Sequence, residues 1–431
     1  MKVLYDASHL GRAARASDGR RGIFRATEAF LNEALTHPEL DCRVTASGSA
    51  AAHFDLERYL RADRPDRAAH ATPLWRAGRP ASAAARITLT AGHRLRPLLG
   101  DHPRVWRSLS AAPRLLVNRL ARAAPSSSSV DVYHSLFAAL PASSRAPARA
   151  RILTIWDLLP IARPEFFPDE ATRRALPAIV RSARPHTDWV ICTSAATKAD
   201  FCRFSAMPAA RVFIVPLAAS PELFHPVADP AAIAAVRRRY GIPEGDYLLS
   251  LSAIEPRKNL PHLIDCFRRV LLEGAAGRAS LVLAGVAAAS DRRLNAAIAA
   301  LGPLRSRVAF TGHVADGDLA ALYSGARAFV FPSLGEGFGL PPLEAMRCGA
   351  PVICSTAGAL PEVIGDAAIG VSPTDVGALI AALRAVLSDD ELVARLRDQS
   401  VRRAAAFSWR GVVDATVAIY REALSAAPPP G

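Results

Sequence analysis

Short apolar runs alternate with amphipathic stretches through the second half of this chain, and that rhythm limits the fold more than any single motif. Residues 246–253, 279–284, 307–311, 327–332 and 351–355 read as buried strands, the last closing the series. Residues 260–273, 291–301, 316–325 and the segment PLEAMRCG read as the helices between them. Strands alternating with helices imply a parallel, doubly wound α/β sheet. The first half repeats the rhythm, with strands at 2–6, 42–46, 130–134, 151–155, 188–193 and 212–215 and a helix after Gly22. Ligands of open parallel sheets bind outside the carboxyl ends of the strands. Two such sheets predict a site in the cleft between them.

A chain of 431 residues suits two domains. Residues 1–215 form the expected N-terminal domain and residues 244–405 the C-terminal one. Prolines 221, 226 and 230 predict an irregular linker over 216–243. A long amphipathic helix is expected over 406–425 and a disordered tail over 426–431. Fourteen arginines against three acidic residues lie between Arg58 and Arg122, an excess of eleven within a net charge of +14. Residues 58–128 therefore read as a basic insertion, either a solvated surface or a patch for an anionic membrane. No nucleic-acid motif accompanies the charge.

Six cysteines without a CxxC pair fit a reduced, cytoplasmic compartment. Met1–Asp6 runs straight into a strand without an apolar leader, and no apolar run approaches 18 residues. Peripheral attachment to the inner face of the membrane stays open.

The chemistry concentrates in two loops. In Ser333–Glu344 (SLGEGFGLPPLE), Gly335, Gly337 and Gly339 surround Glu336, and a helix starts near Pro341. Glycines admit a ligand close to the backbone, and a helix amino end favours a diphosphate. Glu344, placed in the first helical turn, would accept from ribose hydroxyls, while Glu336 would hold sugar hydroxyls. In Glu255–Asn259 (EPRKN), the adjacent cations Arg257 and Lys258 would neutralise a leaving diphosphate.

On these residues the C-terminal half closely resembles family four of the retaining glycosyltransferases, the glycosyl transferases group 1. The E-x7-E element (Glu336, Glu344), Arg257-Lys258-Asn259, Gly312-His313-Val314 and the stretch from Pro351-Val352 to Pro361-Glu362 carry the likeness over about residues 245–420. The resemblance implies the GT-B fold, two Rossmann-like domains with a last helix crossing back to the first. It implies a nucleotide-sugar donor held by Arg257, Lys258, Glu336, Glu344, Ser333, Gly335, Gly337, Phe338, Gly339 and Leu340. The base would lie against the backbone at Val314.

The N-terminal half resembles mannosyl- and rhamnosyltransferase-like members in Arg21-Gly22-Ile23-Phe24-Arg25, Tyr133-His134-Ser135 and Trp156-Asp157-Leu158-Leu159-Pro160. Gly22 would approach the donor phosphates, or serve only as a helix-entry turn. Trp156 stands where those members carry a histidine, which leaves Asp157 or His134 to supply the acceptor contact. His134 reads equally as a satisfied structural residue.

The resemblance points to hexose transfer, first of mannose from GDP-mannose, to a polysaccharide or lipid-linked oligosaccharide. No metal or other cofactor is expected, because side chains and helix ends replace a cation. The alternatives are an epimerase of the same fold and a non-enzymatic basic binding protein.

Overall fold

The computed structural model describes residues 1–13, 22–47, 50–71, 130–142, 148–167, 170–251, 255–285 and 292–427. Arg21, the stretch 72–129 that holds most of the basic insertion, and residues 428–431 of the tail lie outside them.

Two parallel six-stranded sheets form the framework. In the first, β1 (Lys2–Asp6), β2 (Asp41–Thr45), β3 (Val130–Leu136), β4 (Ala148–Ile155), β5 (Asp188–Cys192) and β6 (Val212–Ile214) lie in the order β2-β1-β3-β4-β5-β6. In the second, β7 (Tyr247–Leu251), β8 (Ser280–Ala284), β9 (Val308–Gly312), β10 (Ala328–Phe331), β11 (Val352–Ser355) and β12 (Ile369–Val371) lie in the order β12-β11-β10-β7-β8-β9. This second order reverses direction between β7 and β10. Such a switch point leaves a crevice between the loops that follow the two strands. Those are the loops Glu255–Asn259 and Ser333–Gly339.

Continuous apolar strands are buried on both faces by helices, as parallel sheets require. Leu248, Leu281, Val330 and Ile353 pack on one face of the second sheet. Another apolar cluster joins Val3, Tyr5, Phe30 and Trp156 of the first unit to Phe338, Leu343 and Leu360 of the second. The helix Trp409–Ser425 opens at Ser408, whose side chain accepts from the Gly411 amide, and packs on the helix Ile23–Thr36 and on β3 and β4.

Two expectations are corrected. Proline does not break the segment around residue 230. The Asp229 side chain caps the amide of Ala231, Pro230 occupies the first turn, and a helix runs over Pro230–Arg239. The second sheet does not end at β11, because β12 and the helices Val376–Ser388 and Asp390–Ala405 follow. The start of the basic segment is regular where it is described. The helix Ala50–Asp63 buries Tyr59 and Leu60, a 3-10 helix covers Pro65–His70, and Ala71 bridges Val44.

Candidate active site

After β7 the chain makes one 3-10 turn, Pro256–Lys258, and Asn259 turns left-handed at φ 58° into the helix Leu260–Leu272. Asparagine is one of few residues that tolerate this conformation. Its side-chain amide donates to the carbonyls of Pro332 (3.2 Å) and Pro373 (2.7 Å). The Leu334 amide donates to the Arg257 carbonyl at 2.7 Å. The two loops are thus knitted by backbone.

Glu336 is the electrostatic centre. Lys258 Nζ donates to Oε1 at 2.7 Å, Arg257 Nη1 to Oε2 at 2.6 Å, and Ser333 Oγ to Oε1 at 2.7 Å. Burial alone would raise the Glu336 carboxyl, but Lys258 and Arg257 outweigh it and hold it at about 2. Burial pulls Lys258 below the ordinary lysine value, with Glu336 opposing. Arg257 is also desolvated, yet Glu336 and Glu255 keep it above its ordinary value. Buried charges are stable only when paired in this way.

Glu344 lies elsewhere on the crevice wall. The helix Leu340–Arg347 starts after Gly339, at φ 121°, and has no acidic residue in its first turn. Glu344 therefore belongs to the second turn, because the helix begins at Leu340. Its partners are the Tyr323 hydroxyl (3.3 Å) and Arg25 Nη2 (3.2 Å). Burial raises its pKa, and Arg25 opposes the shift. Arg25 comes from the other sheet's side, in the first turn of Ile23–Thr36 behind Gly22 (φ 49°). Its guanidinium lies 5.5 Å from the Phe224 ring centroid and 3.5 Å from Asp316. The quoted RGIFR stretch contained Arg25, but only the three-dimensional pairing reveals its link to Glu344. Val314 is buried at 6% exposure beyond Gly312, whose φ is 66°.

Facing this wall, Trp156 and Asp157 follow β4. Burial raises Asp157, the nearby Arg257 lowers it and Glu336 raises it further, so the three groups share one field. Asp157 Oδ1 accepts from the Leu159 amide at 3.3 Å. Gly337 lies directly against this turn. A Cβ there would come within 2.7 Å of the Trp156 carbonyl oxygen and 2.8 Å of Asp157 Cα. The Gly337 carbonyl accepts from three hydroxyls, Ser194 (2.7 Å), Thr197 (2.9 Å) and Thr193 (3.2 Å). Sequence reasoning missed these three, since nothing local marks them.

His134 is not in the crevice. It is 1% exposed, with Nδ1 2.6 Å from the Tyr420 hydroxyl and Nε2 2.7 Å from Thr154 Oγ1. Burial pushes it down to about 3. It is a neutral core residue beneath the last helix, so the structural reading of it is the correct one. The structure brings Arg257, Lys258, Ser333, Glu336 and Asp157 together, and Glu344 with Arg25 at another part of the wall. Among the described residues no three His, Cys, Asp or Glu side chains form a group that could hold a metal ion. No described helix is long and apolar enough to cross a membrane.

Two facing parallel sheets, a crevice at the switch point and a crossing last helix define a GT-B fold. Anabaena HepE in complex with UDP and glucose superposes with a TM-score of 0.65 at 18% identity, covering 98% of this chain and all of that one. WaaG, a glycosyltransferase involved in lipopolysaccharide biosynthesis, gives 0.59 at 16% identity, covering 97% and 99%.

Residues 233–403 match the family Glycosyl transferases group 1. The O-antigen chain mannosyltransferase B of Escherichia coli is 32% identical over 273 residues, 63% of this chain and 70% of that protein. The chain belongs to this glycosyltransferase family and is a mannosyltransferase-like hexosyltransferase. The serotype-specific mannosyltransferase WbdA of Escherichia coli is 40% identical over 178 residues, 41% of this chain and 22% of that protein. The MMP alpha-(1->4)-mannosyltransferase of Mycolicibacterium hassiacum is 33% identical over 240 residues, 55% and 54% of the two chains.

Proposed function

We propose that the chain transfers mannose from GDP-mannose, with retention of configuration, to a hydroxyl of a growing polysaccharide or lipid-linked oligosaccharide. The observation that carries this reading is the Arg257–Lys258–Glu336 cluster at the switch point, with Asp157 opposite. The mannosyltransferase names of the relatives support the sugar, and the O-antigen name supports the acceptor.

Glu336 pairs with both cations. An entering diphosphate competes for Arg257 and Lys258 and frees Glu336 to accept from sugar hydroxyls. Glu344, held by Tyr323 and Arg25, accepts from the ribose. As the anomeric C–O bond breaks, negative charge grows on the leaving diphosphate, and the two cations stabilise it in a site shielded from water. The acceptor hydroxyl attacks the same face and passes its proton to the departing phosphate oxygen. Asp157 orients that hydroxyl. The paired cations fill the role a divalent ion plays in other transferases, so the reaction is expected to run in chelator.

The Arg-rich segment from Arg58 to Arg122 supports attraction to an anionic membrane surface carrying the acceptor. The test of function is a panel of nucleotide sugars screened by thermal shift, followed by product analysis by NMR. GDP-mannose should stabilise most, since a ligand at a hundredfold excess over Kd contributes about 2.7 kcal/mol. Preference for a UDP-hexose or dTDP-rhamnose would overturn the donor assignment. An inverted anomeric product would overturn the mechanism.

A further inference from the structure

Glu362 sits on the short helix Leu360–Ile364 of the second unit. Its carboxylate crosses to the first unit. Oε2 accepts from the Ala195 amide at 2.6 Å and Oε1 from the Ala196 amide at 2.9 Å. These amides open the helix Ala195–Phe204. Ser194 Oγ accepts from the third amide, that of Thr197, at 3.0 Å, and the first helical bond, Lys198 to Ser194, follows. The helix start is therefore satisfied largely by a side chain from the opposite unit, a placement its dipole also favours.

The same helix start holds the donor loop. Ser194 and Thr197 donate to the Gly337 carbonyl, as described above. On the other side, the Ala359 amide donates to the Glu336 carbonyl at 3.1 Å. Gly358, at φ 62°, lies so close that a Cβ would come within 2.6 Å of that oxygen. Arg403 Nε anchors the Glu362 helix from behind, at 2.8 Å from the Val363 carbonyl. A continuous path thus runs from the helix Ala195–Phe204 through Glu362 and Ala359 to Glu336, and in parallel through Gly337. Glu362 itself is solvent-exposed, which suits a contact that makes and breaks.

We propose that Glu362 and the Gly337 carbonyl form a clasp that shuts the crevice and sets Glu336 in register for transfer. Glu362 is a positioning residue, acting through the backbone of the donor loop. This rests on the transferase reading above. The clasp spans the two units, whereas the donor's main contacts lie within the second unit. Loss of the clasp therefore lowers turnover and spares donor binding.

The experiment compares wild type with Glu362→Ala, Glu362→Gln and Ala195→Pro. The last removes one amide donor at a first-turn position that suits proline, after Ser194 in extended conformation (ψ 163°). It carries the test if Glu362→Ala fails to fold. Steady-state kinetics with the donor chosen by the panel should show kcat about tenfold lower for Glu362→Ala and Ala195→Pro. The calorimetric Kd for the nucleoside diphosphate should stay within about twofold. Glu362→Gln should recover part of the loss, because its amide oxygen still accepts one bond. Small-angle scattering of the unliganded proteins should show a larger radius of gyration for Glu362→Ala and Ala195→Pro.

Unchanged kcat in both, or nucleotide affinity falling in step with kcat, overturns the clasp. A wild type that transfers no sugar from any donor, with variants that still open, overturns the transferase reading alone.

Discussion

Gly337→Ala isolates the approach of the two units in a single methyl group. Carbon atoms pack best at about 3.5–4.0 Å. The new Cβ would stand 2.8 Å from Asp157 Cα and 2.7 Å from the Trp156 carbonyl oxygen, and closer still to Asp157 Cβ. Both neighbours are backbone or backbone-adjacent, so no side chain can swing aside. The units must separate locally by about 1 Å. A displacement of that size at a reacting centre costs about a hundredfold in rate. Gly337 does not require a left-handed φ, so the second unit should fold unchanged. The assay is kcat and donor KM by coupled nucleotide release, beside calorimetric binding of the nucleoside diphosphate. The expected result is kcat down about a hundredfold with nucleotide affinity preserved. A variant within threefold of wild-type kcat would refute the claim that this contact sets the catalytic geometry.

Lys258→Ala and Glu336→Ala should each lower turnover by at least about a hundredfold, the loss of one preorganised electrostatic contact; near-normal rates in the purified, folded variants would remove these residues from the mechanism. His134 is held neutral, so its contribution to stability is present above about pH 6.5 and is lost as pH falls toward its folded value of about 3. Urea unfolding between pH 5 and 6.5 should then depend less steeply on pH in His134→Gln, by about 1 kcal/mol per pH unit. Co-sedimentation with anionic liposomes should be strong at low salt and weaken as salt rises; binding that ignores salt would discount the Arg58–Arg122 segment as an electrostatic patch.

The sheets were legible because each strand is a short apolar run between turn residues, and burial on both faces leaves few other folds. The donor loops were legible because Glu336, Arg257 and Lys258 belong to two sequence segments that the strand order places side by side. β12 was not, since three residues carry too little pattern. Pro230 misled because its meaning depends on the Asp229 cap. Arg25, Ser194 and Thr197 were hidden for a different reason. Their partners, Glu344 and the Gly337 carbonyl, lie in the other unit, and no local signal encodes a contact between units. His134 had two readings until its ring was seen against Tyr420, near the far end of the chain.

That last contact bears on biosynthesis. Tyr420, Val413 and Ala423 cover the side of the first sheet where Tyr5, Phe30 and His134 meet. Strands made early thus keep an apolar flank uncovered until the helix Trp409–Ser425 has been made. The first sheet completes this side of its core only when that helix docks. During the wait it is a natural client for chaperones, and a truncation that spares every catalytic side chain still leaves its core open to water.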